Sequence, residues 1–219
     1  MACGVDEAGR GPVIGPMVVA GVCADRRDLI SIGVKDSKKL SPKKREFLAE
    51  EIKKTATKIV VRIIEPEEID RLRETITINE IEVKIFSEVI LKLNGNIIYV
   101  DAADVNADRF AKEICRNLPE FFRPRIISEH KADAKYPEVS AASIIAKVER
   151  DKIIKEISKE IGDFGSGYPA DPRTYKFIKE YYNKHRKLPP HTRKSWKSAK
   201  KIMKEYEQKK LAYFEEKSN

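Results

Sequence analysis

The chain has 219 residues, 41% of them hydrophobic and 36% charged, and its 44 Lys and Arg against 35 Asp and Glu give a formal net charge of +9. This length suits one medium domain, or one domain with a small helical appendage. The longest apolar runs, VVAGVCA from Val18 and IIYV from Ile97, are far too short to cross a bilayer, and the N-terminus lacks the basic-then-apolar layout of a signal peptide.

The expectation is therefore a soluble, cytoplasmic protein with no membrane partner, and the basic balance points to a polyanionic one. Cys3, Cys23 and Cys115 are scattered with no C-x-x-C pair, so neither a disulfide framework nor a zinc ribbon is expected. His130, His185 and His191 do not form a ligand cluster. A metal site here would be built from carboxylates and would suit a hard ion such as Mg²⁺ or Mn²⁺.

In chain order, residues 3–7 read as a short strand that runs into a glycine-rich turn, AGRGPVIGP, and 17–24 as an apolar strand. Residues 41–54 open with Ser41 as helix N-cap and Pro42 at the first helical position, with Phe47, Leu48 and Ile52 on the buried side. Residues 58–64 are β-branched and predict a strand, and Pro66 begins a short helix. Residues 77–93 place Ile81, Ile85, Val89 and Leu93 at helical spacing behind a Thr or Asn cap, and Asn94-Gly95 ends that helix. A strand over 97–101, a helix over 107–117, a strand over 125–128 and a long helix from Pro137 to Gly162 follow. This order predicts an α/β domain with helices packed on a mixed sheet.

Beyond the Gly- and Pro-rich loop 162–172 the composition shifts. Between Arg173 and Lys210 fourteen basic residues face three acidic ones, a net +11 that exceeds the whole chain's charge. The segment reads as two helices split by the LPPH turn at Leu188–His191. It could track a phosphate backbone; the plain alternative is a solvated surface, with the interleaved aromatics packing the helices onto the body.

Three acidic sites stand out. Asp6-Glu7 ends the first strand, Asp101 ends IIYVD, and Asp133 precedes the long helix. Carboxylates converging from such positions repel unless cations neutralise them. Two hard ions about 3.5–4 Å apart could then clamp a phosphoryl group and activate water. For any one aspartate the alternative is a cap or a surface charge, and Asp104 and Asp108 read that way, as a turn residue and a helix-start residue. Gly9-Arg10-Gly11 follows the first acidic pair, and its glycines would let backbone approach a ligand closely. It is not a dinucleotide fingerprint, since Ile14 occupies the third glycine position.

The stretches GVDEAGRGPVIGPMVVAGV, KDSKKLSPKKRE, VDAADVN, EHKADAKYPEVSAASIIAKVERD and GSGYPADPRT, spread in order over residues 3 to about 197 with the HTRKSW segment, closely resemble type 2 ribonuclease H (ribonuclease HII), its archaeal branch in particular. The resemblance implies a ribonuclease H-like five-stranded mixed sheet flanked by helices over residues 1–165, with a basic helical C-terminal extension over 166–219 for nucleic-acid binding. It implies endonucleolytic cleavage of RNA in RNA/DNA hybrids and at single ribonucleotides embedded in duplex DNA, with two divalent ions, Mg²⁺ or Mn²⁺, leaving 3′-hydroxyl and 5′-phosphate ends. The family's four acidic positions fall on Asp6, Glu7, Asp101 and Asp133, its substrate-reading motif on Gly9, Arg10 and Gly11, and its junction-recognising tyrosine on Tyr168. Ser37 and Lys38, in DSKKL, would lie close to substrate phosphates. A monomer is expected. Two other readings compete: a non-catalytic duplex-binding protein that uses the basic tail, and a related nuclease acting on DNA junctions. The acids argue against the first, since they would repel its ligand.

Overall fold

The computed structural model describes residues 1–34 and 40–218, with side chains of the last helix described as far as Gln208. Five strands, β1 (Ala2–Ala8), β2 (Met17–Cys23), β3 (Lys58–Ile64), β4 (Ile97–Asp101) and β5 (Arg125–Glu129), form one sheet in the order β3-β2-β1-β4-β5. The β1–β2 and β2–β3 pairs are antiparallel, and β1–β4 and β4–β5 are parallel. This is the mixed sheet expected. The helices are α1 (Arg26–Ser31), α2 (Pro42–Thr55), α3 (Pro66–Leu72), α4 (Ile78–Leu93), α5 (Ala107–Asn117), α6 (Pro137–Ile161), α7 (Pro172–His185) and α8 (Lys197–Ser218).

Strand β2 is buried along its whole length and alternates between two cores. Met17, Val19 and Cys23 join α4 and α5 on one face, where Phe86 and Phe110 meet edge to face. Val18, Ala20 and Val22 join α1, α2 and α6 on the other. A third cluster ties Val13 and Ile14 to the end of α6, Phe164, Ile178 of α7 and Ala199 and Ile202 of α8. The C-terminal helices thus dock onto the loop that follows β1, and several of their aromatics pack there as expected.

The predicted caps form: Ser41 accepts from the N–H of Lys44, and Thr77 and Glu80 make a reciprocal capping box. Three expectations need correction. Phe47 is 55% exposed, because α2 buries Leu48, Ala49 and Ile52 and turns the neighbouring Phe47 outward, under the Lys44 ammonium. The short α1, capped by Asp25, is additional to the predicted elements. Cys3 and Cys23 are joined in a disulfide. Twenty residues separate them in the chain, but they face each other across the antiparallel β1–β2 pair. Among the described residues no helix is long and apolar enough to cross a membrane.

Gly4 brings β1 against the start of α6: a Cβ there would lie 2.1 Å from the Glu138 carbonyl carbon. No side-chain adjustment relieves a clash with backbone. Gly4→Ala is therefore expected to destabilise the fold by about 2 kcal/mol or more, read as a lower denaturant midpoint at unchanged slope.

Candidate active site

Register places the acids. Val5 pairs with Val100 in the parallel β1–β4 ladder, so the next residues, Asp6 and Asp101, lie side by side. Asp133 sits in a one-turn 3₁₀ helix, Ala132–Ala134, after β5. That turn is pinned to the site by the Ala132 N–H, which donates to Asp101 Oδ1 at 3.0 Å. Asp6, Asp101 and Asp133 each present an oxygen within 4.8 Å of the others, and Asp6 and Asp133 are buried. Residues from three separate stretches thus meet at one point.

Glu7 borders that trio, its carboxyl sharing a side-chain hydrogen bond with Asp6. Strand β1 continues to Ala8, so Asp6 and Glu7 lie inside the strand and not at its end. Alternation turns Asp6 toward α6, where the Ser143 hydroxyl bonds it and Lys147 lends positive charge. Lys147 in turn donates to Ser143 at 2.9 Å. Glu7 feels Glu82 of α4 and Asp101 most strongly among its charged neighbours.

Burial, then the neighbouring carboxylates Glu7 and Asp101, push the Asp6 carboxyl well above its ordinary range. Burial, then Glu82 and Asp101, raise Glu7 to about 8. In both, burial outweighs the neighbouring carboxylates, and Lys147 and Arg10 act in the opposite direction. The donor set is all hard oxygen, which fits a divalent ion of the Mg²⁺ or Mn²⁺ type.

The Gly9-Arg10-Gly11 turn runs directly past the acids. Gly9 has φ +83°, and a Cβ there would strike the Arg150 side chain at 2.3 Å, so this position accepts only glycine. The turn is strapped from behind by residues 191–196. Arg193, fully buried, donates to the carbonyls of Gly9 at 2.6 Å, Arg10 at 2.8 Å and Gly15 at 3.0 Å. The Trp196 indole N–H donates to the Gly11 carbonyl at 3.1 Å. Asp70 of α3 holds the strap, accepting from the N–H groups of Lys194 and Ser195 and from the Ser195 hydroxyl. Arg10 itself pairs with buried Glu82 at 2.7 Å and donates to Asn79 at 2.8 Å.

Tyr168 lies across the turn from Trp196: a Cβ on Gly11 would be 3.5 Å from the Tyr168 ring. Its loop is fixed by the Val13 N–H, which donates to the Gly167 carbonyl at 2.8 Å. A cavity of about 520 Å³ joins these parts and is lined by Glu7, Gly9, Gly11, Lys147, Arg150 and Tyr168, among others. Arg150 is 7% exposed, and its Nε and Nη2 make no hydrogen bond. Ser37 and Lys38 lie outside the described residues. Asp104, as expected, serves a turn, accepting from the Asn106 N–H and pairing with Arg109.

Sequence reasoning missed Arg193, Asp70, Lys147 and Arg150. Arg193 was one basic residue among fourteen, and nothing local marks it as buried. Lys147 and Arg150 do carry a signal, since helical spacing puts them one and two turns beyond Ser143 on α6.

Comparison with known proteins settles the family. The ribonuclease HII family model matches residues 3–199. The chain belongs to the ribonuclease HII family. A ribonuclease HII of Pyrococcus furiosus is 51% identical over 204 residues, covering 91% of this chain and 89% of that protein. One from Methanocella arvoryzae is 50% identical, covering 97% and 96%. Among solved structures, the ribonuclease H2 of Pyrococcus horikoshii superposes with a TM-score of 0.86 at 43% identity, covering 94% of this chain and 98% of that one. The ribonuclease HII of Archaeoglobus fulgidus, solved in complex with PCNA, gives 0.85 at 47% identity over 92% and 96%. As a ribonuclease HII, the chain is a metal-dependent endoribonuclease with ribonuclease H activity on RNA/DNA hybrids.

The raised carboxyls fix the sign of a pH effect in the metal-free ribonuclease HII. Glu7 keeps its proton to about pH 8 in the folded chain but loses it near 4.5 when unfolded. Between those values the folded state binds more protons, so stability falls as pH rises. In EDTA, melting temperature is expected to drop from pH 5 to pH 8 and to level off above. Glu7→Gln should flatten the decline, and millimolar Mg²⁺ should reverse it by binding the deprotonated form.

Proposed function

We propose that this ribonuclease HII cuts both the RNA strand of RNA/DNA hybrids and duplex DNA that carries a single ribonucleotide, leaving 3′-hydroxyl and 5′-phosphate ends. The observation that supports this reading most is the juxtaposition of Asp6, Asp101 and Asp133 with the braced Gly9-Arg10-Gly11 turn.

Asp6, Glu7, Asp101 and Asp133 would hold two divalent ions, Mg²⁺ or Mn²⁺. When bound, such ions supply a water of lowered pKa and charge neutralisation at the leaving oxygen. The chain's own residues do the rest. Asp101 and Asp133 are kept in place by the 3₁₀ turn, and Asp6 by Ser143 and Lys147. The Arg150 N–H groups that make no hydrogen bond, and the Lys147 ammonium, both line the cavity and would take phosphate oxygens entering it.

Discrimination against DNA must use the 2′-hydroxyl. The carbonyls of Gly9, Arg10 and Gly11 are each held by a donor behind the turn. Its N–H groups would then serve the ribonucleotide. Tyr168, 43% exposed beside Gly11, would stack on the adjoining deoxyribose. Residues 166–219 would carry the flanking duplex on their basic surface, and Ser37 and Lys38 would add phosphate contacts. The acids, the turn and the tyrosine all come from one chain, so a monomer suffices. The protein would work in the cytoplasm.

The deciding experiment is a denaturing gel of a duplex with one ribonucleotide, incubated with Mg²⁺ or with EDTA beside an all-DNA control. Cleavage at the ribonucleotide, in Mg²⁺ alone, is expected; an uncut strand across metals and pH would reduce the protein to hybrid cleavage or to binding. Asp101→Asn keeps an acceptor for the Ala132 N–H but removes a charge. It is expected to lower cleavage by about 10³-fold or more while binding in EDTA persists.

A further inference from the structure

The Gly9-Arg10-Gly11 turn has a second cavity on its far side. This one has a volume of about 410 Å³, and its lining includes Arg10, Arg73, Ile78, Trp196, Lys197 and Ser198. Among the described residues, none of the four candidate acids and no other carboxylate lines it.

Among the described residues, Arg73 and Lys197 make no ion pair. Arg10 is already matched by Glu82. Arg73 makes a long 3.3 Å bond to the Ile76 carbonyl, and Lys197 is exposed. The Ser198 hydroxyl is buried with no hydrogen-bond partner. It sits in the first turn of α8, where backbone N–H groups lack intrahelical acceptors and favour negative charge.

The cavity also has a fixed apolar floor. Trp196 cannot swing away, because its indole N–H is held by Gly11 and the Arg193 guanidinium lies 4.8 Å from its ring. Ile78 and Pro169 complete that floor. A rigid aromatic platform edged by unneutralised cations is the chemistry that receives a nucleotide unit, sugar or base on the ring and phosphate on the cations. Arg10 and Gly11 line both cavities, so a strand leaving the acids passes over the turn into this one.

We propose that this cavity binds one backbone nucleotide of the substrate duplex, its phosphate on Arg73 and Lys197 and its sugar against Trp196. The inference rests on the acid cluster being the cutting centre. It gives the enzyme a second anchor, and it places substrate register in the hands of residues remote from the acids.

The test measures binding of a long RNA/DNA hybrid in EDTA by fluorescence anisotropy over a salt series. The proteins are wild type, Arg73→Gln, Lys197→Gln, the double variant, and Lys92→Gln as a charge control at the far end of α4. The double variant is expected to bind about tenfold more weakly, and its slope of log affinity against log salt should be shallower by about one, the loss of one neutralised phosphate. The gap from wild type should close when the hybrid is trimmed from one end until it stops short of the cavity. Unchanged affinity and slope in the double variant would overturn the proposal. So would an equal loss in Lys92→Gln, since that would be a general charge effect. Lys197 lies on the surface, so its single variant decides the matter if loss of Arg73 impairs folding. Wild-type enzyme that failed to cut this hybrid in Mg²⁺ would instead unseat the reading of the acid cluster.

Discussion

Mutual repulsion among buried carboxylates is the constraint around which this molecule is organised. Left alone, such carboxylates would be driven apart. What holds them is backbone: the parallel β1–β4 ladder sets two side by side, and a single N–H from the 3₁₀ turn brings in the third. Strand pairing does not relax to relieve charge, so burial and the neighbouring carboxylates together raise the proton affinity of Asp6 and Glu7. The sheet thus gives up part of its own stability to keep the acidic nest assembled.

The second organising device is the strap behind the Gly9-Arg10-Gly11 turn. Burying the Arg193 guanidinium would be costly in an apolar setting, but three main-chain carbonyls receive it. The exchange makes a glycine turn, the most pliable kind of backbone, into a rigid surface. Residues that never touch the acids therefore set the geometry in which the acids would meet a ribonucleotide. Asp70 extends this logic one step further out, since it fixes the strap and not the turn.

Much of this was legible beforehand, for identifiable reasons. The strands and caps followed from β-branched runs, Ser41-Pro42 and the Thr77 box, all of which act locally. The candidate acids and the Gly9-Arg10-Gly11 turn followed from motifs long enough to name a family. Long-range facts escaped. The Cys3–Cys23 bridge depends on cross-strand register, which spacing along the chain does not reveal. Glu7's nearness to Glu82 of α4 depends on how the helix packs against β1, which the strand's own sequence does not show. Arg193 depends on three carbonyls nearly the whole chain away, and Phe47 on which way α2 rolls against α6.

The span of that strap has a consequence for folding. The turn at residues 9–11 is completed by residue 193, through contacts that join residues 178 to 184 positions apart. Such a contact has a high loop-closure cost and forms late. The β1–β2 hairpin can pair early, since its strands are neighbours in the chain, but the turn at its tip stays unbraced until residues 191–196 dock. An intermediate with its sheet formed and its strap undocked would therefore hold the candidate acids beside a pliable turn.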